Sequence, residues 1–137
     1  MNKEKDDYIR YRMERASQSL QVAKSALESG LLNDAVNRIY YACFYAVSAL
    51  LITRDLFSSK HSGVRSLFSQ HFVKNGPFPR DLSRFYHDLF ESRQNGDYED
   101  FVTFKREDVE AWLAQAEQFV VTIAKYIENE LSAGSQE

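Results

Sequence analysis

The stretch that decides the fold is VNRIYYACFYAVSAL, residues 36–50. Its aliphatic and small residues recur at helical spacing and form one stripe: Val36, Ile39, Cys43, Ala46, Val47 and Leu50. Aromatic residues occupy the other faces: Tyr40, Tyr41, Phe44 and Tyr45. The predicted helix is therefore apolar nearly all round, and such a helix is either central to a fold or buried by a second subunit.

Two further apolar stripes lie on either side of this helix in the sequence. The first has the alternating four- and three-residue steps of a helix: Ile9, Met13, Ala16, Leu20, Ala23 and Leu27. The second repeats these steps near the C-terminus: Val109, Leu113, Ala116, Val120, Ile123 and Ile127. We expect Gly30 to end the first helix in a left-handed conformation. We expect Asn33 or Asp34 to cap the central helix.

Two shorter helices are predicted between the central helix and the last one. One covers about residues 61–74, and the other begins at Pro79 and ends near residues 94–97. A loop with Tyr98, Phe101 and Phe104 then leads to the last helix. Five glycines and two prolines are too few for a sandwich or barrel. The sequence therefore predicts an all-α fold, an antiparallel up-and-down bundle of four to five helices.

The length and charge of the chain limit its organisation and its partners. A chain of 137 residues has room for one domain, and we assign residues 1–131 to a helical domain and residues 132–137 to a short polar tail. Seventeen Lys and Arg against twenty Asp and Glu give a net charge of −3. This balance excludes nucleic-acid binding through a broadly basic surface. Any phosphate contact must come from a local cluster.

The sequence contains no pattern typical of a membrane span, a signal peptide, a disulfide framework or a metal site. No segment has about 18 consecutive apolar residues, and residues 1–7 lack the apolar core of a signal peptide. Cys43 is the single cysteine, which excludes a disulfide framework. None of the three histidines has a glutamate three residues before it, as a metal-binding bundle would need. We expect a cytoplasmic protein with no cofactor, no metal and no membrane association.

Arg38 is the charged residue within the most apolar stretch. A guanidinium there is costly unless it forms a pair, reaches solvent or contacts a phosphate. Tyr41 and Tyr45 follow at spacings of three and four residues and share its helix face, with Asn37 one position round. An arginine flanked by two phenols favours an anion or a stacked base.

The same charged residues also have purely structural interpretations. Arg38 could form an internal ion pair with Asp97 or Glu91. Arg93 and Asp97 are four residues apart and could pair with each other, or Arg93 could extend the anion site while Asp97 orients Arg38. A second basic patch on the first helix is most simply a solvated helix face: Arg10, Arg12 and Arg15.

Three motifs, in this order, resemble the HEPN domain family, whose name stands for higher eukaryotes and prokaryotes nucleotide-binding. They are Asn-Arg-x-Tyr-Tyr-Ala at residues 37–42, Lys-His-Ser-Gly-Val at residues 60–64 and Arg-x-x-x-Asp-Tyr at residues 93–98. The resemblance covers residues 8–131. It is greatest to the small stand-alone prokaryotic branch, whose members are often encoded beside a minimal nucleotidyltransferase.

This resemblance implies a helical bundle that forms a homodimer, with its site near the two-fold axis. It implies a nucleotide or RNA ligand and a nucleotidyltransferase partner in a two-component system of the toxin–antitoxin type. The homodimer is also expected from the apolar faces of residues 36–50. The residues that would bind the nucleotide or RNA are Asn37, Arg38, Tyr41, Arg93 and Asp97.

Many members of the family are metal-independent ribonucleases, in which an arginine is followed after four to six residues by a histidine. Arg38 matches the arginine, but residues 43–45 are Cys, Phe and Tyr. Tyr45 takes the place of the histidine, and a phenol with a pKa of about 10 is a poor base at neutral pH. Binding therefore survives this replacement better than cleavage does.

His61 is a second candidate for the missing base, if the start of its helix approaches Arg38. The structural alternative is that His61 packs against the preceding loop. The sequence thus leaves three functions open. The leading one is a nucleotide- or RNA-binding module, the second is an endoribonuclease that uses Arg38 with Tyr45 or His61, and the third is a structural interaction bundle.

Overall fold

The computed structural model describes residues 3–98 and 102–135, which form an all-α bundle. Within these two ranges there are five α-helices and no strands. The helices are α1 (Lys3–Glu28), α2 (Leu32–Ile52), α3 (His61–Phe68), α4 (Arg80–Tyr98) and α5 (Arg106–Ser135). A π-helical segment, Ser69–Lys74, continues α3 directly. The predicted fold class is confirmed.

Helices α1 and α2 are antiparallel neighbours joined by a short turn. Near one end of the pair Lys5 Nζ lies 3.1 Å from Asp55 Oδ1, and further along it Arg15 contacts Tyr45. Gly30 adopts the predicted left-handed conformation, with φ of 77°. A glycine makes this conformation without steric cost, so it lets the chain reverse direction between the two helices.

The predicted cap of α2 by Asn33 or Asp34 is wrong, because α2 begins without a side-chain cap hydrogen bond. The Asn33 amide is used elsewhere. Its Nδ2 donates to the carbonyl oxygens of Gly96 at 3.3 Å and Val102 at 3.4 Å. Asn33 thus joins the beginning of α2 to the end of α4.

Helix α2 is the central element, since it packs against α1, α3, α4 and α5. Tyr40 and Cys43 are completely buried, whereas Tyr41, Phe44 and Tyr45 are half-buried. Helices of the same chain therefore cover most of the apolar surface that suggested a second subunit. The homodimer remains a prediction, but the apolar faces of α2 no longer require it.

Among the described helices, α2 alone has the length and apolar composition of a membrane span. Most of its apolar window is buried inside the bundle. Burial of this kind is what a central core helix needs, because its apolar residues face other helices on several sides.

The segments around α5 depart from the sequence prediction. Helix α5 continues to Ser135, so much of the predicted polar tail is helical, and residues 136–137 lie outside the described residues. Tyr98 is the last residue of α4 and not part of a loop. Phe101, also predicted in that loop, lies outside the described residues. Phe104 packs edge-on against Trp112, with ring centres 5.8 Å apart.

An aromatic cluster joins α3, α4 and α5 beneath α2. Phe68 is fully buried at its centre. Its ring centre lies between 5.9 and 6.5 Å from those of Phe72, Phe78, Tyr86 and Phe119. Aromatic pairs at these separations add to the stabilisation that comes from burial of their area.

We predict that Phe68→Ala lowers the free energy of unfolding by about 3–5 kcal/mol, because it leaves a cavity among four other rings. Phe57 is 82% exposed, so Phe57→Ala is a matched control that changes stability by no more than about 0.5 kcal/mol. Urea denaturation followed by circular dichroism measures both values. Equal losses for the two variants would contradict the position of this cluster in the core.

Candidate functional site

Five of the predicted site residues form one closed network between α2 and α4. Asn37 Oδ1 accepts hydrogen bonds from Nε and Nη2 of Arg38, at 3.0 and 2.7 Å. Asn37 Nδ2 donates to Asp97 Oδ2 at 3.1 Å, and Arg93 Nε lies 3.0 Å from the same oxygen. Arg93 Nη2 donates to the Tyr41 hydroxyl at 3.1 Å, and the Arg38 guanidinium lies 4.8 Å from the centre of the Tyr41 ring.

Asp97 anchors this network. It forms the predicted ion pair with Arg93, and the side chains of the two residues are 27% and 11% exposed. Partial burial strengthens such a pair because it reduces solvent screening. Asp97 also holds Asn37, which in turn holds Arg38. The predicted orientation of Arg38 by Asp97 therefore operates through the Asn37 amide.

The predicted internal ion pair of Arg38 with Asp97 or Glu91 is not found. Over residues 3–98 and 102–135, no carboxylate oxygen lies within 4.0 Å of the Arg38 guanidinium. Glu91 lies instead 3.8 Å from His87 Nε2. The half-buried Arg38 thus has an amide and an aromatic ring as its neighbours. Neither of these carries a charge that would neutralise the guanidinium.

His61 joins the same surface from the beginning of α3. Its ring stacks on Phe44, with centres 4.4 Å apart, and meets the Tyr41 ring edge-on at 5.8 Å. Its Nδ1 lies 2.7 Å from the Tyr40 hydroxyl, and the two atoms share a hydrogen bond. In the described part of the chain no hydrogen bond joins His61 to Arg38. Tyr41 contacts both residues.

The environment of His61 keeps its imidazole neutral. Burial, and secondly the positive charge of Arg93, lower the pKa of His61 below its ordinary value of 6.5. Burial also raises the pKa of its partner Tyr40 to about 12, so that phenol stays protonated. At neutral pH the His61 ring can therefore accept a proton, which is the state that a general base requires.

Tyr45 lies one helical turn beyond Tyr41, with ring centres 6.2 Å apart. Its hydroxyl accepts a hydrogen bond from Arg15 Nη2 at 3.4 Å. The guanidinium carbons of Arg15 and Arg12 lie 5.3 and 5.9 Å from the centre of its ring. These two arginines are thus half-buried and contact aromatic rings, whereas Arg10 is exposed as expected.

Sequence reasoning missed the contacts of Arg12 and Arg15 with Tyr45. The available signal was their position next to Ala16 in the apolar stripe of α1, on the side that an antiparallel α2 must approach. Spacing along one helix predicts neighbours within that helix. It does not give the register between two helices.

Metal binding has no support in the geometry. Across the residues that the structure describes, no group of three or more His, Cys, Asp or Glu side chains is placed to hold a metal ion. The groups available to the site are thus arginines, phenols, an amide, one carboxylate and one neutral imidazole.

The sequence profile of the HEPN domain matches residues 9–126. The chain belongs to the HEPN domain family. This confirms the resemblance carried by the three motifs, and the match covers most of the described structure. As a HEPN protein, the chain places two of these motifs on α2 and α4, where Arg38 and Arg93 meet Tyr41.

Several relatives are similar over most of their length. A "UPF0332 protein" of Thermotoga maritima is 47% identical over 126 residues, which are 92% of this chain and 96% of the relative. "Putative toxin MJ0605" of Methanocaldococcus jannaschii is 35% identical, with 91% and 92% covered. "Putative toxin MJ0142" of the same organism is 33% identical, with 84% and 78% covered.

One solved structure is similar in fold to this HEPN chain. It is the crystal structure of TT1696 from Thermus thermophilus, which superposes with a TM-score of 0.72 at 20% sequence identity. The superposition covers 85% of this chain and 96% of the other. At this identity the similarity concerns the fold alone.

We predict that the His61 ring titrates below 6.5 in the folded protein. Arg93→Gln should raise its midpoint, because the variant removes a positive charge that opposes protonation. Nuclear magnetic resonance of the His61 ring protons, recorded against pH, measures both midpoints. A wild-type midpoint at or above 6.5 would contradict the described burial.

The same lowered pKa predicts a pH dependence of stability. The unfolded chain binds the His61 proton at about pH 6.5, whereas the folded chain binds it at lower pH. Stability is therefore lost as the pH falls from about 6.5 to the lowered value. His61→Gln should lose less stability than the wild type over this window, as measured by urea denaturation at each pH.

Proposed function

We propose that this HEPN protein is a toxin-like module that binds a nucleotide or RNA. Arg38, Tyr41 and Arg93 would contact the ligand, while Asn37 and Asp97 hold the two arginines in place. The observation that carries the proposal is the charge of the network. Among residues 3–98 and 102–135, no carboxylate oxygen lies within 4.0 Å of the Arg38 guanidinium, whose hydrogen-bond partner is the neutral Asn37 amide.

A phosphate is the anion that suits this arrangement. Arginine donors form charge-assisted hydrogen bonds to phosphate oxygens, and these are stronger than bonds between neutral groups. Arg38 is held at Nε and Nη2 by a single amide oxygen, so it is oriented before a ligand arrives. Orientation in advance reduces the entropy lost on binding. The flat guanidinium over Tyr41 also offers a surface on which a base can stack.

The biological setting is part of the proposal. Two archaeal relatives have names that contain the word toxin, which supports a place in a two-component system. A nucleotidyltransferase protein would be the second component, as the family resemblance implies. The same resemblance supports a homodimer, and we also propose the cytoplasmic location expected from the sequence. Two Arg38 networks would then meet near the two-fold axis.

We predict that Arg38→Ala weakens binding of a labelled single-stranded RNA by roughly tenfold to a hundredfold, because one hydrogen bond to a charged group contributes about 1.5–3 kcal/mol. Fluorescence anisotropy measures the dissociation constants. Arg106→Ala is the control, because it removes the same charge from an exposed pair with Glu110 on α5.

Equal effects of the two substitutions would show that the site is not at Arg38. A thermal melt of each variant separates binding from stability. If Arg38→Ala lowers the melting temperature but leaves RNA binding unchanged, the arginine serves the bundle alone, and the structural interpretation replaces the proposed one.

Endoribonuclease activity is the second candidate, and the geometry of His61 favours it. His61 is neutral and contacts Tyr41 next to the Arg38 network. In this mechanism His61 takes the proton of the RNA 2′-hydroxyl, and the 2′-oxygen attacks the adjacent phosphorus. The bond to the 5′-oxygen of the next nucleotide breaks, that oxygen takes a proton from water to become a hydroxyl, and a 2′,3′-cyclic phosphate forms. Arg38 stabilises the negative charge that develops on the phosphate.

We predict that, if cleavage occurs, His61→Gln slows it by about 10²–10⁴-fold, the usual contribution of general acid–base catalysis. The assay incubates labelled single-stranded RNA with the purified protein and a metal chelator. His87→Gln is the control, because His87 is exposed on α4 beside Glu91. No cleavage by the wild type would favour the binding module, whereas equal rates for the two variants would exclude His61 as the base.

A further inference from the structure

Two tyrosines on successive turns of α2 are each contacted by two arginines. Arg38 and Arg93 lie 4.8 and 5.3 Å from the centre of the Tyr41 ring. Arg15 and Arg12 lie 5.3 and 5.9 Å from that of Tyr45, and the two rings are 6.2 Å apart. The pairs come from different helices, since Arg12 and Arg15 belong to α1. We call the second unit the Tyr45 unit: Tyr45, Arg12 and Arg15.

The Tyr45 unit is positively charged and lacks a carboxylate partner. Among the residues that the structure describes, no Asp or Glu oxygen lies within 4.0 Å of Arg12 or Arg15. Their polar partners are phenols, because Arg12 Nη2 donates to Tyr8 at 3.2 Å and Arg15 to Tyr45. Because phenols are neutral, these hydrogen bonds do not neutralise the positive charge of either arginine. In a protein of net charge −3, this is a local concentration of positive charge.

The surface next to the Tyr45 unit has room for a nucleoside. Tyr8 is 51% exposed, and the Arg12 guanidinium lies 5.2 Å from the centre of its ring. A cavity of about 640 Å³ opens beside Arg12, with Tyr8 and the largely exposed Phe57 in its wall. Glu4 and Asp55 also line it, and Asp55 forms an ion pair with Lys5. Proteins that bind single-stranded nucleic acids combine aromatic rings, on which the bases stack, with positively charged side chains, which contact the phosphates. Tyrosines and arginines alternate on this surface in the same way.

We propose that the Tyr45 unit is a second phosphate subsite, so that the ligand is a single strand of RNA and not a mononucleotide. One backbone phosphate would contact Arg38 and the next along the strand would contact Arg12 and Arg15. A mononucleotide has a phosphate for only one of the two subsites. A strand carries a phosphate at every nucleotide and can therefore contact the Arg38 network and the Tyr45 unit together. This inference rests on the proposed function, because the first subsite is the Arg38 network.

The experiment compares uridine monophosphate with a labelled single-stranded oligouridine, and uses the full chain. The test variant is Arg12→Gln/Arg15→Gln. The matched control is Arg10→Gln/Lys24→Gln, which removes two exposed charges from the same helix. Calorimetry measures the mononucleotide, and fluorescence anisotropy measures the strand at several salt concentrations.

The test variant should bind the oligouridine at least about tenfold more weakly and leave the mononucleotide unchanged. Each phosphate contact contributes about 0.7 to the slope of the logarithm of affinity against the logarithm of salt concentration. The test variant loses the one phosphate contact of this subsite, so its slope should be smaller by about 0.7. The control variant should leave both affinities and the slope close to the wild-type values.

The two proposals fail in different ways. If wild-type protein binds the mononucleotide and the strand equally well, and the test variant changes neither, the subsite is overturned while the proposed function stands. If the wild type binds neither probe, the proposed function fails and the subsite with it. Should the test variant not fold, as judged by circular dichroism, Arg15→Gln alone replaces it. That single variant keeps Arg12, so it should reduce the salt slope by less than about 0.7, and an unchanged slope would overturn the subsite.

Discussion

Burial of α2 by four neighbouring helices is the constraint on which the rest of the structure depends. Small residues make close packing possible, since Ala42, Ala46 and Ala49 are completely buried. Burial of Tyr40 places a hydroxyl in the interior, where an unpaired polar group is costly. The hydrogen bond to His61 satisfies that hydroxyl and brings the beginning of α3 against α2. Core packing thus places the imidazole at the edge of the candidate site.

The site forms where α2 leaves the core and meets the end of α4. Arg38 and Arg93 would repel each other if no negative charge lay between them. Asp97 supplies that charge to Arg93 directly, and to Arg38 through the dipole of the Asn37 amide. Among the described residues no carboxylate contacts Arg38 directly, so its positive charge lacks a direct counter-charge there. In the proposed function, the phosphate of a nucleotide or RNA would supply the missing negative charge.

Aromatic residues of α2 serve both the core and the surface. Tyr40 is fully buried among other rings, whereas Tyr41 and Tyr45 are half-buried and contact arginines. Arginine can lie over an aromatic ring and keep donors free for a phosphate. The two half-buried tyrosines therefore hold four arginines on one surface. A protein with a net negative charge obtains in this way a locally basic strip.

The sequence alone is enough to predict the all-α bundle, and it gives the central place of α2 and the Arg93–Asp97 pair as one of two alternatives each. These follow from local periodicity, because residues three or four apart on one helix are neighbours whatever the helix packs against. Tertiary structure alone decided that Asn37 joins Arg38 to Asp97 and that Arg15 meets Tyr45. Those contacts depend on the register between helices that are distant in sequence. Register is set by how the apolar stripes of all five described helices fit together, and no single stripe contains that information.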